Sequence, residues 1–136
     1  DEKYCQSFIR DAILKNYIAS SHDVSDGGLA VALSECCVLS SKGAKIKLEA
    51  KNTRKDNLLF SEGGSRIIFS LNKKEESNFL NFIKTKNQKF GKNVYVKKIG
   101  IVSEKNLEIT FQDEKLCNIR VDQLAEKFNN GVSSNF

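Results

Sequence analysis

The sequence predicts an α+β fold, in which helices flank a mixed, largely antiparallel sheet. Four segments have apolar residues at three- and four-residue spacing, which is typical of helices. Five segments alternate apolar and polar residues, or form short apolar blocks rich in β-branched side chains, which is typical of strands. The resulting order, α-α-β-β-α-β-β-β-α, indicates helices that cover a largely antiparallel sheet.

The predicted helices differ in how apolar they are. The second is rich in leucine, alanine and valine and is expected to be mostly buried, with Gly43 just after its last turn. The chain after the fourth helix, residues 129–136, is expected to fray. The four helices are predicted over the first residues up to about Ile18, about Asp26–Leu39, 73–86 and 122–128.

The predicted strands are joined mostly by short polar segments. Ile46 and Leu48 are expected to share one buried face of the first strand. "SRIIFSL" is apolar at both parities and is expected to be a central strand. "KNTRKDN" is expected to be a loop, and "SEKN" the hairpin turn between the third and fourth strands. The five strands are predicted over residues 44–50, 65–71, 93–102, 107–112 and 117–121.

The composition is that of a globular protein. With 136 residues, 40% of them hydrophobic, the chain can bury a core without disulfides or metals. The net charge of +5 comes from scattered lysines, which favour a solvated surface over a nucleic-acid interface. No apolar run approaches the ~20 residues of a membrane helix. We therefore expect no nucleic-acid partner, no membrane partner and a cytoplasmic location.

The chain contains neither methionine nor proline. Because it lacks an initiator methionine, we interpret it as a segment of a longer protein. Without proline-rich linkers or a repeat of fixed period, nothing in the sequence marks an internal boundary. We therefore predict a single domain over residues 1–136.

The cysteines and the one histidine do not form a metal-binding pattern. Cys5, Cys36, Cys37 and Cys117 contain no C-x-x-C pair, and His22 is not at ligand spacing from any of them. The sequence therefore predicts buried, reduced thiols and no metal site.

Acid groups and a glycine pair lie where the second helix is predicted to begin, in "SSHDVSDGGLAVALSE". The acids or the serine can cap the first N–H groups of the helix, and the glycines let a backbone, a side chain or a phosphate approach closely. Two interpretations remain open: a capped turn packed against another strand or domain, and a phosphate or magnesium–phosphate contact. The residues concerned are Asp23, Ser25, Asp26, Gly27 and Gly28.

A second glycine pair, in "LFSEGGSRIIFS", immediately precedes a predicted strand. The guanidinium of Arg66 can hold a phosphate or a carboxylate. Alternatively, Arg66 pairs with Glu62 or with an acid on an adjoining domain. Glu62, Ser65 and Arg66 are therefore the second set of candidate phosphate or interdomain contacts.

The sequence offers no constellation for catalysis within this chain. His22 has no obvious nucleophile partner, so a structural hydrogen-bonding role is favoured over that of a general base. No Walker loop, Rossmann glycine fingerprint or nucleophile elbow is present. We predict no catalytic residue here.

Together, the two glycine motifs resemble the C-terminal half-domain of the aminoimidazole ribonucleotide synthetase-related proteins. The likeness extends through "KKIGIVSEKNLEITF", which is similar to that domain's strand–Gly–strand hairpin. "HDVSDGG" resembles the form found in the members that make formylglycinamidine ribonucleotide. The family fold, a mixed sheet with helices on its faces and a partial ferredoxin-like resemblance, agrees with the predicted order.

The resemblance implies a C–N ligase of de novo purine biosynthesis. Such enzymes use ATP and magnesium to activate the amide oxygen of formylglycinamide ribonucleotide, and glutamine-derived ammonia then displaces the phosphate. Their half-domains occur in two copies that form a pseudo-dimer, and this chain resembles the second C-terminal copy. The implied partners are the remaining domains of the same subunit, a glutaminase subunit and a small accessory subunit. We expect the isolated chain to be inactive and to hold no tightly bound cofactor.

Two alternatives remain open. The chain could be a non-catalytic binding or scaffolding module. It could also be the matching domain of a related ATP-dependent enzyme, such as selenophosphate synthetase, thiamine-monophosphate kinase or hydrogenase maturation factor.

A half-domain of a pseudo-dimer is expected to carry an apolar surface that a partner covers. We place this surface on the strands and expect a homodimer of the chain to form through it. The candidate residues are Ile67, Ile68, Phe69, Val94, Val96 and Ile99.

Overall fold

The computed structural model describes residues 2–133, with side chains as far as residue 130. The chain forms two compact units, each built from two separate segments. Unit 1 consists of Asp1–Val24 and Gly63–Lys97, and unit 2 of Ser25–Glu62 and Lys98–Phe136.

Helices and strands alternate irregularly along the chain. The helices are α1 (Glu2–Leu14), α2 (Gly28–Ser40), α3 (Lys55–Phe60), α4 (Glu76–Phe90) and α5 (Val121–Ser133). The strands are β1 (Ser20–Asp23), β2 (Gly43–Leu48), β3 (Ile67–Ser70), β4 (Gly100–Ser103), β5 (Asn106–Phe111) and β6 (Glu114–Arg120). A 3-10 turn, Lys73–Glu75, leads into α4. The described strands form four pairs, of which β2–β5 is parallel and the other three are antiparallel, and this mixed, largely antiparallel pairing confirms the predicted α+β class.

Unit 1 packs α1 and α4 around an aromatic core. α1 presents Phe8 and Ala12 on one face, since they are four residues apart, and α4 presents Phe79 and Phe82. The rings of Phe8 and Phe82 have centroids 5.1 Å apart. β1 and β3 pair antiparallel in the same unit, with Ser20 opposite Ser70.

The first helix is shorter than predicted, because it ends at Leu14 and not near Ile18. Asn16 has a left-handed backbone (φ 58°), and the Tyr17 N–H donates to the Ala12 carbonyl at 3.0 Å. Asparagine tolerates this conformation better than most residues, and it often ends helices. Ile18 is nevertheless buried in the unit 1 core. Ile18 is therefore apolar because it is buried in the core, and not because the helix continues to this residue.

Two strand predictions are wrong in extent or position. A strand was predicted over residues 93–102, but in the structure the strand in this region, β4, begins only at Gly100. Val94 and Val96 pack against the unit 1 core, so they alternate with polar residues although they do not belong to a strand. β3 was predicted to be central, but it lies in a two-stranded sheet with β1.

The apolar surface predicted for a homodimer is largely covered within the chain. Phe69, Val94 and Val96 pack against the unit 1 core, and the Phe69 and Phe79 rings meet edge to face with centroids 5.1 Å apart. Ile67 and Ile68 are half-buried. The prediction is therefore wrong for the residues that face the core, and the homodimer itself stays a prediction.

Unit 2 contains a four-stranded mixed sheet in the order β4-β2-β5-β6. β2 is antiparallel to β4 and parallel to β5, and β5 is antiparallel to β6. Ile46 and Leu48 are both buried on β2, as predicted. The predicted hairpin between β4 and β5 is wrong, because β2 lies between these two strands.

The connection from β4 to β5 passes the first residue of β2. Gly43 pairs with Ser103 at the end of β4, and a Cβ added at Gly43 would lie 2.2 Å from the carbonyl oxygen of Asn106. The Ser103 hydroxyl donates to that same oxygen at 3.1 Å. The sheet order therefore depends on a residue without a side chain at position 43.

Three elements were missed or cut short by the sequence prediction. β1 lies in a segment expected to be a connection, and α3 overlaps the predicted polar loop 51–57. α5 continues through residues 129–133, which were expected to fray; the rest of that tail lies outside the described residues. Among the described helices, none is long and apolar enough to cross a membrane.

An ion pair joins the two helices of unit 1 and makes its stability depend on pH. The Lys86 ammonium donates to the Asp11 carboxylate at 2.5 Å, and this hydrogen bond holds the pKa of Asp11 below its usual value. A lowered folded-state pKa gives stability that is present above the unfolded pKa and is lost as pH falls through the folded pKa.

We expect Asp11→Asn to lower the urea midpoint at neutral pH and to flatten the loss of stability between about pH 5 and about pH 2. Urea unfolding followed by circular dichroism at several pH values measures this, and Lys86→Gln should reproduce the flattening. Parallel pH profiles for the wild type and both variants would contradict the role of the pair.

Candidate functional site

The start of the first glycine motif and the end of the second are paired by backbone hydrogen bonds in unit 1. Asp23, the last residue of β1, lies opposite Ile67, the first residue of β3. The Val24 N–H donates to the Arg66 carbonyl at 2.9 Å, which extends this pairing by one step. Two stretches about forty residues apart in sequence are therefore held together by the β1–β3 ladder.

His22 takes part in this strand pair. It lies opposite Ile68, and its Nδ1–H donates to the carbonyl of Asp23 at 2.7 Å. Because a carbonyl can only accept, this contact places the proton on Nδ1. The arrangement agrees with the structural hydrogen-bonding role predicted for His22.

The turn before α2 is capped by the other motif, within unit 2. The N-cap of α2 is Gly27, and its N–H donates to Oε1 of Glu62 at 2.9 Å. The sequence had placed the cap on Asp23, Ser25 or Asp26. That assignment is wrong, since the N-cap residue has no side chain and the carboxylate comes from a residue just after α3. A carboxylate at this position also faces the positive end of the helix dipole.

Gly27 and Gly28 are both required by the backbone of this turn. Their φ angles are +80° and +72°, a region that favours glycine. A Cβ at Gly28 would lie 2.7 Å from the carbonyl oxygen of Leu59 and 2.8 Å from the Cα of Phe60. The predicted close approach at the start of a buried helix is confirmed at Gly28, where the approaching group is the backbone at the end of α3. At Gly27 the nearest atoms belong to the side chain of Val31 in α2 itself.

The remaining candidate residues lie at the surface. Ser25, Asp26 and Glu62 are exposed in unit 2, and the carbonyl of Ser25 accepts from the Gly28 N–H at 3.1 Å. In unit 1, Ser65 is exposed and Arg66 is half-buried. The role of Glu62 as the cap of α2 depends on α3, which lies partly in the segment predicted to be a polar loop. The apolar run Leu58–Phe60 was the signal for that helix.

The four cysteines are free thiols, and the predicted burial holds fully for one of them. Cys37 is buried, and the others are half-buried. Burial raises the pKa of the Cys37 thiol to about 11 and also raises the pKa values of Cys36 and Cys117. These three thiols are therefore protonated at neutral pH and are poor nucleophiles and poor metal ligands.

Acidic groups do not gather into a metal site in the described part of the chain. Over residues 2–133, no group of three or more His, Cys, Asp or Glu side chains is placed to hold a metal ion. The pKa of Asp122 is lowered by a hydrogen bond from Arg120, and this exposed pair lies outside both glycine motifs.

Ser65 also lines a cavity of about 470 Å³ within unit 1. Its other lining residues are not among the binding residues that the sequence predicts: Tyr4, Cys5, Lys92, Asn93 and Val94. The available signal was Gly91, which stops α4 just before three of them.

Comparison with known proteins gives matches along the whole chain. The family model described as "AIR synthase related protein, C-terminal domain" matches residues 2–112. "Phosphoribosylformylglycinamidine synthase subunit PurL" of Prochlorococcus marinus (strain MIT 9515) is 75% identical over 136 residues, which is 100% of this chain and 18% of the relative. The protein of the same name from P. marinus subsp. pastoris is 76% identical over the same coverage. The chain therefore spans about a fifth of the length of these relatives.

Solved structures from Thermotoga maritima show the same fold. "T. maritima PurL complexed with FGAR" matches with a TM-score of 0.74 and 17% identity, and covers 91% of this chain and 21% of that chain. "T. maritima PurL complexed with ATP" matches with a TM-score of 0.70 and 16% identity, over 88% of this chain and 20% of that chain. The family model matches residues 2–112, and the relatives align over every residue of the chain. The chain therefore belongs to the family of AIR synthase related protein, C-terminal domain.

Proposed function

We propose that this chain is the C-terminal domain of a phosphoribosylformylglycinamidine synthase subunit and forms one half-domain, residues 1–136, of that longer enzyme. The observation that carries the proposal is 75% identity to a subunit of that name over the full 136 residues. The whole enzyme converts formylglycinamide ribonucleotide into formylglycinamidine ribonucleotide, with ATP and with ammonia derived from glutamine. It acts in purine biosynthesis in the cytoplasm. A scaffolding module is not favoured, because both relatives carry the synthase name.

ATP and magnesium belong, in this proposal, to the whole enzyme. The described residues do not fit magnesium, because they include no cluster of three potential ligands. The ATP complex of the Thermotoga protein supports a nucleotide site in such subunits. We therefore assign no catalytic residue and no tightly bound cofactor to this chain.

The candidate residues that are not used to build the turn before α2 keep their proposed role as contacts to phosphate or to another domain of the same subunit. In unit 2, Glu62 already accepts from Gly27, which favours a structural role for this pair and for Gly28. Ser25 and Asp26 are exposed beside the capped turn and are proposed as the interdomain contacts there. In unit 1 the corresponding set, all close to the β1–β3 ladder, is Asp23, Ser65 and Arg66.

Partners in the proposed complex are a glutaminase subunit and a small accessory subunit. A solved structure called "Structure of PurLQS from Thermotoga maritima" supports an assembly of this kind.

A domain exchange tests the proposed function. In the P. marinus MIT 9515 subunit, the 136 residues that align with this chain are replaced by this chain. We expect the exchanged enzyme, with its partner subunits, to retain most of the parent's kcat/KM for amidine formation, because the domain contributes fold and interdomain contacts and not reacting groups.

The control is the purified 136-residue chain, which should show no ATP hydrolysis and no amidine formation above a blank. An exchanged enzyme that is folded and assembled but inactive would overturn the assignment. Turnover by the isolated chain would overturn the claim that it carries no catalytic residue.

A further inference from the structure

Strand β4 forms one edge of the four-stranded sheet in unit 2, within the part of the chain that the structure describes. Its two central residues, Ile101 and Val102, are 58% and 60% exposed. Because side chains alternate along a strand, these two residues point to opposite faces of the sheet. An edge with apolar side chains on both faces is a template for pairing with a further strand.

The β4 edge lacks the features that usually prevent edge-to-edge pairing, which are a lysine or proline within the strand, or a bulge. The chain has no proline, and no charged residue lies between Lys98 and Glu104. The register of β4 with β2 is continuous. By contrast, the other edge strand of the same sheet, β6, begins with Glu114 and Lys115 and ends with Arg120. Of these two edges, β4 is therefore the one suited to accept another strand.

The ladder with β2 determines which backbone groups of β4 face the edge. The Lys47 N–H donates to the Ile99 carbonyl at 2.8 Å, so these two residues form a hydrogen-bonded pair. Such pairs alternate with non-hydrogen-bonded pairs in an antiparallel ladder, so Ile101, two residues further on, is also bonded to β2. Gly100 and Val102 occupy the alternate positions. Their N–H and C=O groups therefore face away from β2, toward the edge of the sheet.

This edge is complementary to a second copy of itself. In one antiparallel register, Gly100 lies opposite the partner's Val102, and Val102 lies opposite the partner's Gly100. The outward N–H and C=O groups of each pair then exchange hydrogen bonds. Ile101 faces the partner's Ile101 across the two-fold axis, and Gly100, which has no side chain, leaves room for the partner's Val102.

The charged residues that flank β4 match in the same register. Lys98 lies three residues before Ile101 and Glu104 lies three residues after it, so each Lys98 faces the partner's Glu104. Both residues are exposed, and opposite charges that face each other stabilise a strand pair. Sliding one strand by two residues would keep the outward backbone groups opposite each other but would separate these charges. In one direction Lys98 would face the partner's Val102, and in the other Glu104 would face the partner's Gly100.

We propose that two copies of this chain associate through their β4 edges, in an antiparallel two-fold pair centred on Ile101 that joins their four-stranded sheets. This surface lies in unit 2. It differs from the surface that the sequence predicts for a homodimer, in which Phe69, Val94 and Val96 pack against the unit 1 core. The inference goes beyond the proposed function and does not depend on it, since it concerns association of the chain alone.

Sedimentation equilibrium of the 136-residue chain, from micromolar to millimolar concentration, should show a reversible monomer–dimer equilibrium. Val102→Pro removes an outward N–H that the β2 ladder does not use, and an edge strand tolerates proline at such a position. This variant should weaken the dimer by about thirtyfold, because two hydrogen bonds are lost per dimer. The matched control is Val102→Thr, which keeps the N–H and the β-branched shape and should leave the dimer nearly unchanged.

Charge reversal tests the register. Lys98→Glu and Glu104→Lys should each weaken the dimer several-fold, because they place like charges opposite each other. The variant that carries both changes should regain the wild-type affinity, since each glutamate again faces a lysine. A double variant that is as weak as the single ones would overturn this register.

Amide hydrogen exchange of the wild type provides a test that needs no substitution. The N–H groups of Gly100 and Val102 should exchange more slowly as the protein concentration rises into the dimer range. The N–H of Ile101, which is bonded to β2, should be equally protected at every concentration. A chain that stays monomeric up to millimolar concentration would overturn the proposal, and so would a dimer that leaves the exchange of Gly100 and Val102 unchanged. None of these results depends on the activity of the whole enzyme.

Discussion

Replacing Gly43 with alanine should lower the free energy of unfolding by about 3 kcal/mol, the upper end of the usual cost of overpacking. The added Cβ would lie 2.2 Å from the carbonyl oxygen of Asn106 and 2.7 Å from its carbonyl carbon and its nitrogen. All three are backbone atoms of the β5 strand, so no side chain can rotate away to relieve the clash. Either β2 or the start of β5 must move, and the ladder between them weakens.

Urea unfolding of the 136-residue chain, followed by circular dichroism, measures this loss. The matched control is Gly63→Ala, because a Cβ there meets nothing within 4 Å and Gly63 is not among the residues with a positive φ. That variant should unfold at or slightly above the wild-type midpoint. An unchanged midpoint for Gly43→Ala would mean that the β4–β5 connection does not pass close to the start of β2.

Replacing Gly28 with valine should also cost about 3 kcal/mol, from two additive causes. Overpacking against the backbone of Leu59 and Phe60 contributes roughly 1–3 kcal/mol. Holding a residue with a Cβ at a φ of +72° contributes roughly 1–2 kcal/mol more. Since the neighbouring atoms belong to the end of α3, the loss should fall on the packing of α2 against α3.

The comparison variant for this prediction is Gly27→Ala. The three atoms nearest to its Cβ all belong to the side chain of Val31, the closest at 2.5 Å, and its φ of +80° is also positive. The side chain can shift where a backbone cannot, so Gly27→Ala should cost less than Gly28→Val. The reverse order of urea midpoints would indicate that the turn opens easily and that α3 does not approach Gly28 in solution.

Helical spacing and strand alternation correctly predicted the elements whose apolar side chains are buried on one face. Examples are α2, α4 and β2, in which Ile46 and Leu48 are buried. Predictions failed where an apolar pattern had another cause. Val94 and Val96 alternate because they pack on a core, without a neighbouring strand to pair with. Ile18 is apolar for the same reason, after α1 has already ended.

The pairing of strands could not be predicted from the sequence. The short polar connection at residues 104–105 suggested a hairpin, yet both flanking strands pair with β2. Only the absence of a side chain at Gly43 hinted at this order, and a glycine after a helix has a simpler explanation as a C-cap. At the candidate site, the β1–β3 ladder brings the ends of both glycine motifs together, and their role as phosphate or interdomain contacts stays a prediction. The sequence did not predict that Glu62 caps α2, because Glu62 follows α3, a helix that the sequence did not predict.

Because β2 lies between β4 and β5 in the sheet, this sheet cannot form until late in the synthesis of the chain. Strands β4 and β5 are near neighbours in sequence but cannot begin as a local hairpin, since each must pair with a strand that emerged more than fifty residues earlier. The whole segment Gly63–Lys97, which belongs to the other unit, must be made in between. Contacts of such high sequence separation form slowly. Until β5 has emerged, Ile46 and Leu48 have no sheet to cover them, and a growing chain halted before that point exposes an apolar strand to chaperones or to other chains.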